Sequence, residues 1–326
     1  MVYIYTRVGN GFGLGHYRRM KILENYLESK GIEVCIETSL KFENLEKSEM
    51  ILIDARETNE KVFRTILKMN KPIVSLDDTI TSKPSVVSIL SLPYISTKGP
   101  KPNFEGVEYL IIEPTLKDLE TSEEIDILVS FGGEDPYNLT EFVLNSFHDL
   151  LQSLRVVVFI GEHFRDYNRV VEVCRSRGFE FFLPSDSNFQ GMIAKSRYVL
   201  TSFGITVYES LLLGKRVILV NATEYHHSVY LKSYLEGYGV VEVGFFDKDR
   251  NFVSTSSFKD AFEFIPSKKF VLNPRENLDR WFNIIDRIVR TPNKHNLRIL
   301  LDSEVIYRDE RKTTFLVGDR EYFIDF

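Results

Sequence analysis

The 326-residue chain has few cysteines and no long apolar run, which excludes several broad classes of protein. Its two cysteines, Cys35 and Cys174, lie in separate halves and lack the spacing of a disulfide framework or of metal ligands. No uninterrupted apolar run approaches the ~20 residues that a membrane span needs, and the first residues lack the apolar stretch of a signal peptide. We therefore expect reduced core thiols, a cytoplasmic location and no stable membrane insertion.

Positive charge is not in excess either. The formal net charge is -6, whereas a nucleic-acid partner usually requires a basic surface, so we expect no nucleic acid to bind. Two nucleotide-binding patterns are also missing, because the glycine cluster near the amino end contains neither G-x-G-x-x-G nor the Lys-Ser/Thr of a P-loop. The sequence therefore supports neither a nicotinamide site nor an ATP site of these types, and we expect no cofactor and no metal.

What the chain does contain is a repeated alternation of β-branched apolar runs with helical patterns. The strand pattern VYIYT, for example, is followed by a helical pattern from His16 to about Lys30 that places Met20, Leu23 and Leu27 on one face. A polar, acidic stretch without a clear period separates two such series. This alternation predicts an α/β fold with two doubly wound, Rossmann-like parallel sheets, and the length agrees with two domains.

The same reading divides the chain into five segments. We predict an N-terminal domain over 1–115, a linker at 116–124, a second domain over 125–275, a helix at 276–292 that closes the second domain, and a β tail at 296–326. The tail alternates polar and apolar residues around a Gly-Asp turn, which predicts a hairpin or meander. It either covers a sheet edge or forms the contact of a homo-oligomer, and the sequence leaves both alternatives open.

Three glycine-bearing loops stand where a predicted strand passes into a helix, which is where α/β sheets bind ligands. The first reads GNGFGLGH, and glycines such as Gly13 and Gly15 let the backbone approach a ligand closely. His16 follows at the positive end of the helix, which disfavours the imidazolium and leaves the neutral form that a general base needs. A purely structural turn is the alternative interpretation of this loop.

The second glycine loop reads ILVSFGGEDPYN. Gly132 and Gly133 precede Asp135, a candidate helix cap, and Pro136, a residue suited to a first helical position. The loop is therefore either a phosphate cradle or an ordinary capped turn between strand and helix.

The third glycine loop predicts a nucleotide site. Gly204, Ile205 and Thr206 open a helix whose backbone N–H groups can bind phosphate oxygens. Glu209 lies about one turn further along and can accept both hydroxyls of a ribose, a frequent arrangement in nucleotide sites. An exposed carboxylate that merely stabilises the helix start is the alternative.

These segments together resemble a known family. The run ITVYESLLLGKRVILV is similar to the nucleotide-binding segment of GT-B enzymes related to the peptidoglycan N-acetylglucosaminyltransferase. Together with GLGHYRR, SLDDT and ILVSFGGEDPYNLT, it resembles the UDP-sugar hydrolases of pseudaminic acid biosynthesis and the related spore-coat polysaccharide biosynthesis proteins. The resemblance spans residues 1 to about 290. It implies a GT-B fold with two Rossmann-like domains facing a cleft, and a UDP-sugar as substrate.

The resemblance also implies roles for individual residues. His16 would be the base that deprotonates the water attacking the anomeric carbon, and Arg19 would help to position the site. Asp77 and Asp78 match a paired-carboxylate segment on the sugar side; because adjacent residues of an extended strand point to opposite faces, we do not expect them to hold a metal. The resemblance places the diphosphate and nucleotide at Gly132, Gly133, Gly204, Thr206 and Glu209. The helix-start argument adds Ile205, and His226 lies in the region near the ribose and base.

The chain departs from the family pattern at two places. Arg7 is followed by Val8 and Gly9 where the family has Arg-x-Asp, so that aspartate is absent. His226 and His227 stand where the family often has Asn-Gln; a solvated pair of loop histidines is the alternative to a ligand contact there.

The predicted function is hydrolysis of a UDP-sugar in bacterial or archaeal surface polysaccharide or nonulosonic acid biosynthesis. The alternatives are an inverting glycosyltransferase with a soluble acceptor, which would use the same base, and a non-catalytic nucleotide-sugar binding protein.

Overall fold

The computed structural model describes residues 1–9, 14–55, 58–93, 98–164, 166–185, 188–290, 300 and 303–326. The chain divides into two compact units. The first comprises Met1–Val8, His16–Glu113 and Asn273–Phe326, and the second comprises Gly9–Gly15 and Pro114–Leu272. Both ends of the chain therefore belong to the first unit.

The first unit contains a six-stranded parallel sheet in the order β2-β1-β3-β4-β5-β6. Its strands are β1 Val2–Thr6, β2 Val34–Glu37, β3 Met50–Asp54, β4 Ile73–Leu76, β5 Val87–Leu90 and β6 Phe104–Glu105. The helices between them are α1 Gly15–Ser29, α2 Phe42–Lys47 and α3 Glu60–Leu67. Every residue of β1, β3, β4 and β5 is buried, as expected for parallel strands covered on both faces.

The second unit contains a seven-stranded sheet in the order β13-β12-β11-β10-β7-β8-β9, in which β13 alone is antiparallel to its neighbour. Its strands are β7 Ile125–Val129, β8 Val156–Phe159, β9 Glu180–Phe182, β10 Ser196–Thr201, β11 Arg216–Asn221, β12 Val240–Phe246 and β13 Phe252–Ser254. Its helices are α4 Leu139–Ser146, α5 His148–Leu151, α6 Tyr167–Arg177, α7 Phe189–Lys195, α8 Ile205–Leu212, α9 Glu224–Lys232 and α10 Phe258–Glu263.

The chain returns to the first unit through helix α11, Pro274–Arg290. The expectation that this helix closes the second domain is wrong, because its buried face joins the core of the first unit through Leu278, Trp281 and Ile285. A hydrogen bond also holds α11 to the first unit: the Trp281 indole N–H donates to the Tyr109 carbonyl at 2.9 Å. An amphipathic pattern identifies such a helix but does not say which core it covers.

The segment EYLII, residues 108–112, has the apolar, β-branched composition of a strand but does not form one. It forms a short 3-10 turn at Val107–Tyr109, and the strand that pairs with β5 is the preceding β6. The Asn277 side chain donates to the carbonyls of Val107 and Leu110, at 3.0 and 2.9 Å. Side chains of α11 thus donate hydrogen bonds to carbonyl groups that, in a strand, would accept from the neighbouring strand.

The tail forms a three-stranded antiparallel sheet of β14 Glu304–Arg308, β15 Lys312–Val317 and β16 Arg320–Asp325. The buried Arg308 guanidinium holds this sheet to the rest of the first unit, because it donates to the Lys83 carbonyl at 3.1 Å and to Ser85 Oγ and Asn103 Oδ1 at 2.9 Å. Burial lowers the pKa of Arg308 to about 9. The tail therefore packs on its own unit; a role in a homo-oligomer stays a prediction.

The prediction of an α/β chain with two parallel, doubly wound sheets and a C-terminal β element is confirmed. Within the described ranges, no helix is long and apolar enough to cross a bilayer.

Candidate functional site

Four ionisable side chains, those of His16, Arg19, Asp54 and Asp77, meet at the carboxyl edge of the first sheet. His16 lies in the first turn of α1, which follows β1, and Asp54 is the last residue of β3. The chain passes from β1 to β2 on one side and then crosses to β3 on the other, so the loops after β1 and β3 diverge at this point. Such a switch point is where open α/β sheets form a ligand crevice.

The geometry of this cluster centres on the Asp54 carboxylate, whose side chain is fully buried. His16 Nδ1 lies 2.8 Å from Asp54 Oδ1, and Arg19 Nε donates to Asp54 Oδ2 at 2.7 Å. A second Arg19 nitrogen, NH2, also donates to Asp54 Oδ1. Arg19 NH1 donates to Asp77 Oδ2 at 2.5 Å, so the buried guanidinium bridges two carboxylates.

The charges of the cluster determine which nitrogen of His16 can act as a base. Burial alone raises the pKa of Asp54, but the charges of Arg19 and His16 and the hydrogen bonds they donate lower it to about 2. Asp54 is then a carboxylate at neutral pH and can only accept. His16 Nδ1 lies 2.8 Å from this carboxylate and 3.2 Å from the Arg19 nitrogen Nη2, so the shorter contact favours a neutral His16 that donates from Nδ1 and keeps its lone pair on Nε2. The His16 side chain is 17% exposed, which leaves the ring accessible to a ligand.

Asp77 and Asp78 diverge in the structure. Asp77, with a left-handed φ of 50°, accepts from the Ser91 N–H at 2.7 Å and from the Ser91 hydroxyl at 2.9 Å, in addition to Arg19. Asp78 accepts from Lys83 Nζ at 2.7 Å and from the Ile80 N–H at 3.0 Å. The structure therefore brings Asp77, and not Asp78, to the cluster around His16.

Asp54 is the member of this cluster that sequence reasoning missed. The signal was present: a carboxylate ends the otherwise apolar run MILID, at the edge where ligands bind. The spacing of residues along the sequence does not determine the order of the strands, and it is this order that places β3 beside β1.

The glycines of the first loop are only partly described. Gly13 lies outside the described residues. Gly15 is the first residue of α1, and a Cβ placed there would meet no atom within 4 Å.

The second unit has its own switch point, between β7 and β10. The loop after β10 ends at Gly204, the N-cap residue of α8, which has no side chain to cap the helix. The Val207 N–H donates to the Gly204 carbonyl at 3.1 Å. Ile205 and Thr206 form the first turn and are half-buried. Glu209, one turn later, accepts from Gln190 Nε2 at 3.3 Å. This N-terminus therefore keeps backbone donors that an anion can bind.

The loop after β7 differs because its helix is already capped. The Asp135 carboxylate accepts from the N–H groups of Leu139 and Thr140, both at 2.8 Å, and α4 begins at Leu139 rather than at Pro136. The two glycines of the loop, Gly132 and Gly133, precede this cap. Of these two helix starts, α4 has the Asp135 carboxylate on its N–H groups, whereas the N-cap residue of α8 is Gly204, which supplies no side-chain cap.

His226 and His227 do not form a solvated loop pair. Both lie in the first turn of α9, and each ring has a side-chain partner. Thr223 Oγ1 lies 2.8 Å from His226 Nδ1, and Glu242 Oε2 lies 2.6 Å from His227 Nδ1.

Within the described residues, no group of three or more histidine, cysteine, aspartate or glutamate side chains is arranged to hold a metal ion.

Comparison with known proteins gives a distant sequence relative. The uncharacterized protein MJ1062 of Methanocaldococcus jannaschii is 23% identical over 230 residues, which cover 63% of this chain and 47% of that protein. The chain thus spans about half the length of this curated relative. No protein-family model matches the chain.

Several solved structures resemble the fold as a whole. UGT89C1 of Arabidopsis thaliana gives a TM-score of 0.47 at 10% identity, covering 92% of this chain and 98% of that one. A putative UDP-N-acetylglucosamine 2-epimerase from Listeria monocytogenes gives 0.43 at 10% identity, covering 91% and 90%. MurG of Acinetobacter baumannii gives 0.41 at 10% identity, covering 91% and 94%. Such values are too low to assign an activity, which must be argued from the site itself.

Proposed function

We propose that this chain is an enzyme that hydrolyses a UDP-sugar at its anomeric carbon and releases UDP. The observation that carries the proposal is the contact of His16 with Asp54 at 2.8 Å, which leaves Nε2 as the proton acceptor of a neutral imidazole. A histidine oriented by a carboxylate is a common general base, and general bases contribute about 10²–10⁴-fold to a rate. In the proposed step, Nε2 takes the proton of the water that attacks the anomeric carbon, and the electron pair of the breaking bond leaves with UDP.

Arg19 and Asp77 are positioning residues in this proposal. Arg19 neutralises Asp54 and is itself held by Asp77 at 2.5 Å, so the carboxylate that orients His16 cannot rotate away. This cluster also accounts for the missing aspartate of the family pattern, because Asp54 offers a carboxylate from a different strand. The one positive charge of the buried guanidinium is shared by two carboxylates, and the Ser91 N–H and hydroxyl, at 2.7 and 2.9 Å, provide further donors to Asp77.

The second unit would bind the nucleotide. The backbone N–H groups at Gly204, Ile205 and Thr206 would bind phosphate oxygens, supported by the start of α8 having no side-chain cap. Glu209 would accept the ribose hydroxyls. The other proposed contacts of the sugar nucleotide are Gly13, Gly15 and Asp78 on the sugar side, and Gly132, Gly133 and His226 on the nucleotide side.

The test is UDP release from a panel of UDP-sugars in H₂¹⁸O, with no acceptor present. Hydrolysis at the anomeric carbon releases UDP in step with free sugar, and the UDP contains no ¹⁸O because the attack does not occur at phosphorus. UDP release that begins only when a sugar acceptor is added assigns the chain to the glycosyltransferases instead. Binding of UDP without turnover of any UDP-sugar, with or without acceptors, makes it a nucleotide-sugar binding protein.

A further inference from the structure

The second unit contains a buried carboxylate whose partners are neither lysine nor arginine. The Glu242 side chain, on β12, is 4% exposed. Its Oε1 accepts from Asn221 Nδ2 at 2.5 Å, and its Oε2 lies 2.6 Å from His227 Nδ1. Among the described residues, His227 is the ion-pair partner of Glu242. A buried carboxylate is costly without a compensating charge, and an imidazolium at His227 would supply one for Glu242.

Two contacts fix the His227 ring. Nδ1 is bound to Glu242, and the ring stacks on Phe245 with centroids 4.1 Å apart and planes 15° from parallel. Nε2 is on the opposite edge of the ring and has no hydrogen-bond partner among the described residues. The side chain is 21% exposed, so a ligand can reach it.

The same network extends to the start of α8. Asn221 uses its amide nitrogen for Glu242, and its Oδ1 accepts from the Phe203 N–H at 2.8 Å and from Ser202 Oγ at 3.2 Å. Those two residues directly precede Gly204. One chain of hydrogen bonds therefore links the His227 ring to the loop that presents the N–H groups of α8.

The two loops beside this hydrogen-bond network lack positively charged side chains. The loops that follow β10 and β11, Ser202–Gly204 and Ala222–Thr223, contain no lysine or arginine. A diphosphate at the start of α8 would therefore meet backbone donors but no permanently cationic side chain from these two loops. A protonated His227 supplies one, and a charge-assisted hydrogen bond is about twice as strong as a neutral one.

We propose that His227, protonated and held by Glu242, binds a phosphate oxygen of the nucleotide diphosphate at the start of α8. The proposal rests on the proposed function, since it adds a ligand-binding residue to the same nucleotide site. Glu242 and Asn221 are positioning residues: they hold the ring and the loop and do not contact the nucleotide.

The proposal predicts that nucleotide-sugar binding strengthens as the pH falls through the titration range of imidazole. UDP-N-acetylglucosamine is a suitable probe because its phosphates are esterified on both sides and do not titrate near neutrality. Burial raises the pKa of Tyr230 to about 12, so this residue does not titrate in the range. The other ionisable groups around the ring are Glu242 from β12, Glu224 and His226 on the same turn of α9, and Arg250, which donates to the Ala222 carbonyl at 3.2 Å.

The experiment is calorimetric titration of the full chain with UDP-N-acetylglucosamine and with UDP at pH 6 and pH 8. For UDP-N-acetylglucosamine, we expect His227→Gln to weaken binding about 10- to 100-fold at pH 6 and to remove most of the difference between the two pH values. Glu242→Gln should retain binding at low pH and move the pH dependence downwards, because the protonated ring loses its counter-charge. A purely structural role would weaken binding equally at both pH values.

Two further variants complete the design. His148→Gln is the matched control: His148 lies on α5, which leads into the amino end of β8, and its ring packs against Phe179, just before the amino end of β9. His226→Gln tests the neighbouring ring. A pH dependence that survives His227→Gln, or that disappears in His226→Gln instead, overturns the proposal.

The nucleotide site itself is tested separately by Glu209→Ala. If that variant weakens UDP binding while His227→Gln leaves the pH dependence intact, the inference about His227 fails and the nucleotide site stands. If the wild-type chain binds neither UDP nor UDP-N-acetylglucosamine, both are refuted.

Discussion

The substitution Asp54→Asn removes the charge that His16 and Arg19 both contact, and we expect it to destabilise the first unit. Breaking one partner from a buried ion pair typically costs ~3–5 kcal/mol. Arg19 is 3% exposed and keeps Asp77 as a second partner at 2.5 Å, so we expect the lower end of that range, about 3 kcal/mol.

The pKa of Asp54 gives a second estimate of how much its contacts with Arg19 and His16 contribute to the unfolding free energy. Burial raises the pKa of Asp54, but Arg19 and His16 lower it to about 2, which is below the ~3.9 of an unfolded aspartate. A carboxylate with a depressed folded pKa contributes stability above its unfolded pKa and loses it as the pH falls through the folded pKa. The difference between the unfolded and the folded pKa of Asp54 corresponds to roughly 2–3 kcal/mol of unfolding free energy. The difference in unfolding free energy between the wild type and Asp54→Asn should therefore be constant from pH 8 to 5 and shrink below about pH 4.

The assay is urea unfolding followed by tryptophan fluorescence. The chain has one tryptophan, Trp281, and it is fully buried in the first unit, so its emission reports on that unit. Asp319→Asn is the control, since Asp319 is an exposed turn residue between β15 and β16; its effect should stay within about 0.5 kcal/mol. A variant as stable as the wild type at pH 7, or a wild-type advantage that grows below pH 4, would refute the reasoning.

Three further perturbations follow from the packing and the sites. Arg308→Met should lower the unfolding free energy of the first unit by about 2 kcal/mol or more, because it removes the buried hydrogen bonds that the guanidinium donates to the Lys83 carbonyl, Ser85 Oγ and Asn103 Oδ1. The exposed Arg320→Met should not, and equal effects would contradict the anchoring role of Arg308. Gly161→Ala should lower the melting temperature, because the added Cβ would lie 2.4 Å from the Gly132 carbonyl oxygen. In Gly15→Ala the added Cβ meets no atom within 4 Å, so the melting temperature should be unchanged or higher. Glu209→Ala should weaken UDP binding by about 1–3 kcal/mol in calorimetry, and an unchanged affinity would exclude Glu209 as the ribose acceptor.

Much of the fold follows from local pattern. The central strands of both sheets are apolar at nearly every position, and α1 buries Met20, Leu23 and Leu27 as its periodicity predicts. The exceptions depend on partners distant in sequence. EYLII has the composition of a strand, but Asn277 and Trp281 bind its carbonyls, and no local pattern contains that information.

Some residues of the candidate site could likewise be predicted from the sequence, whereas others depend on the order of the strands. Glycine spacing and strand ends identified His16, the family resemblance added Arg19, and both side chains contact the same carboxylate in the structure. Asp54 reaches them because β3 lies beside β1, and His227 reaches Glu242 because β12 lies beside β11. Both pairs depend on strand order, which spacing along one chain does not determine.

The central claim is that His16 is the base, and one comparison tests it most directly. UDP release by His16→Asn is measured beside the wild type on the best UDP-sugar, together with the UDP dissociation constant of each. We predict a loss of turnover of about 10²–10⁴-fold with UDP affinity changed less than about twofold, because the proton acceptor and the nucleotide contacts lie in separate units. Turnover by His16→Asn equal to that of the wild type would contradict the account.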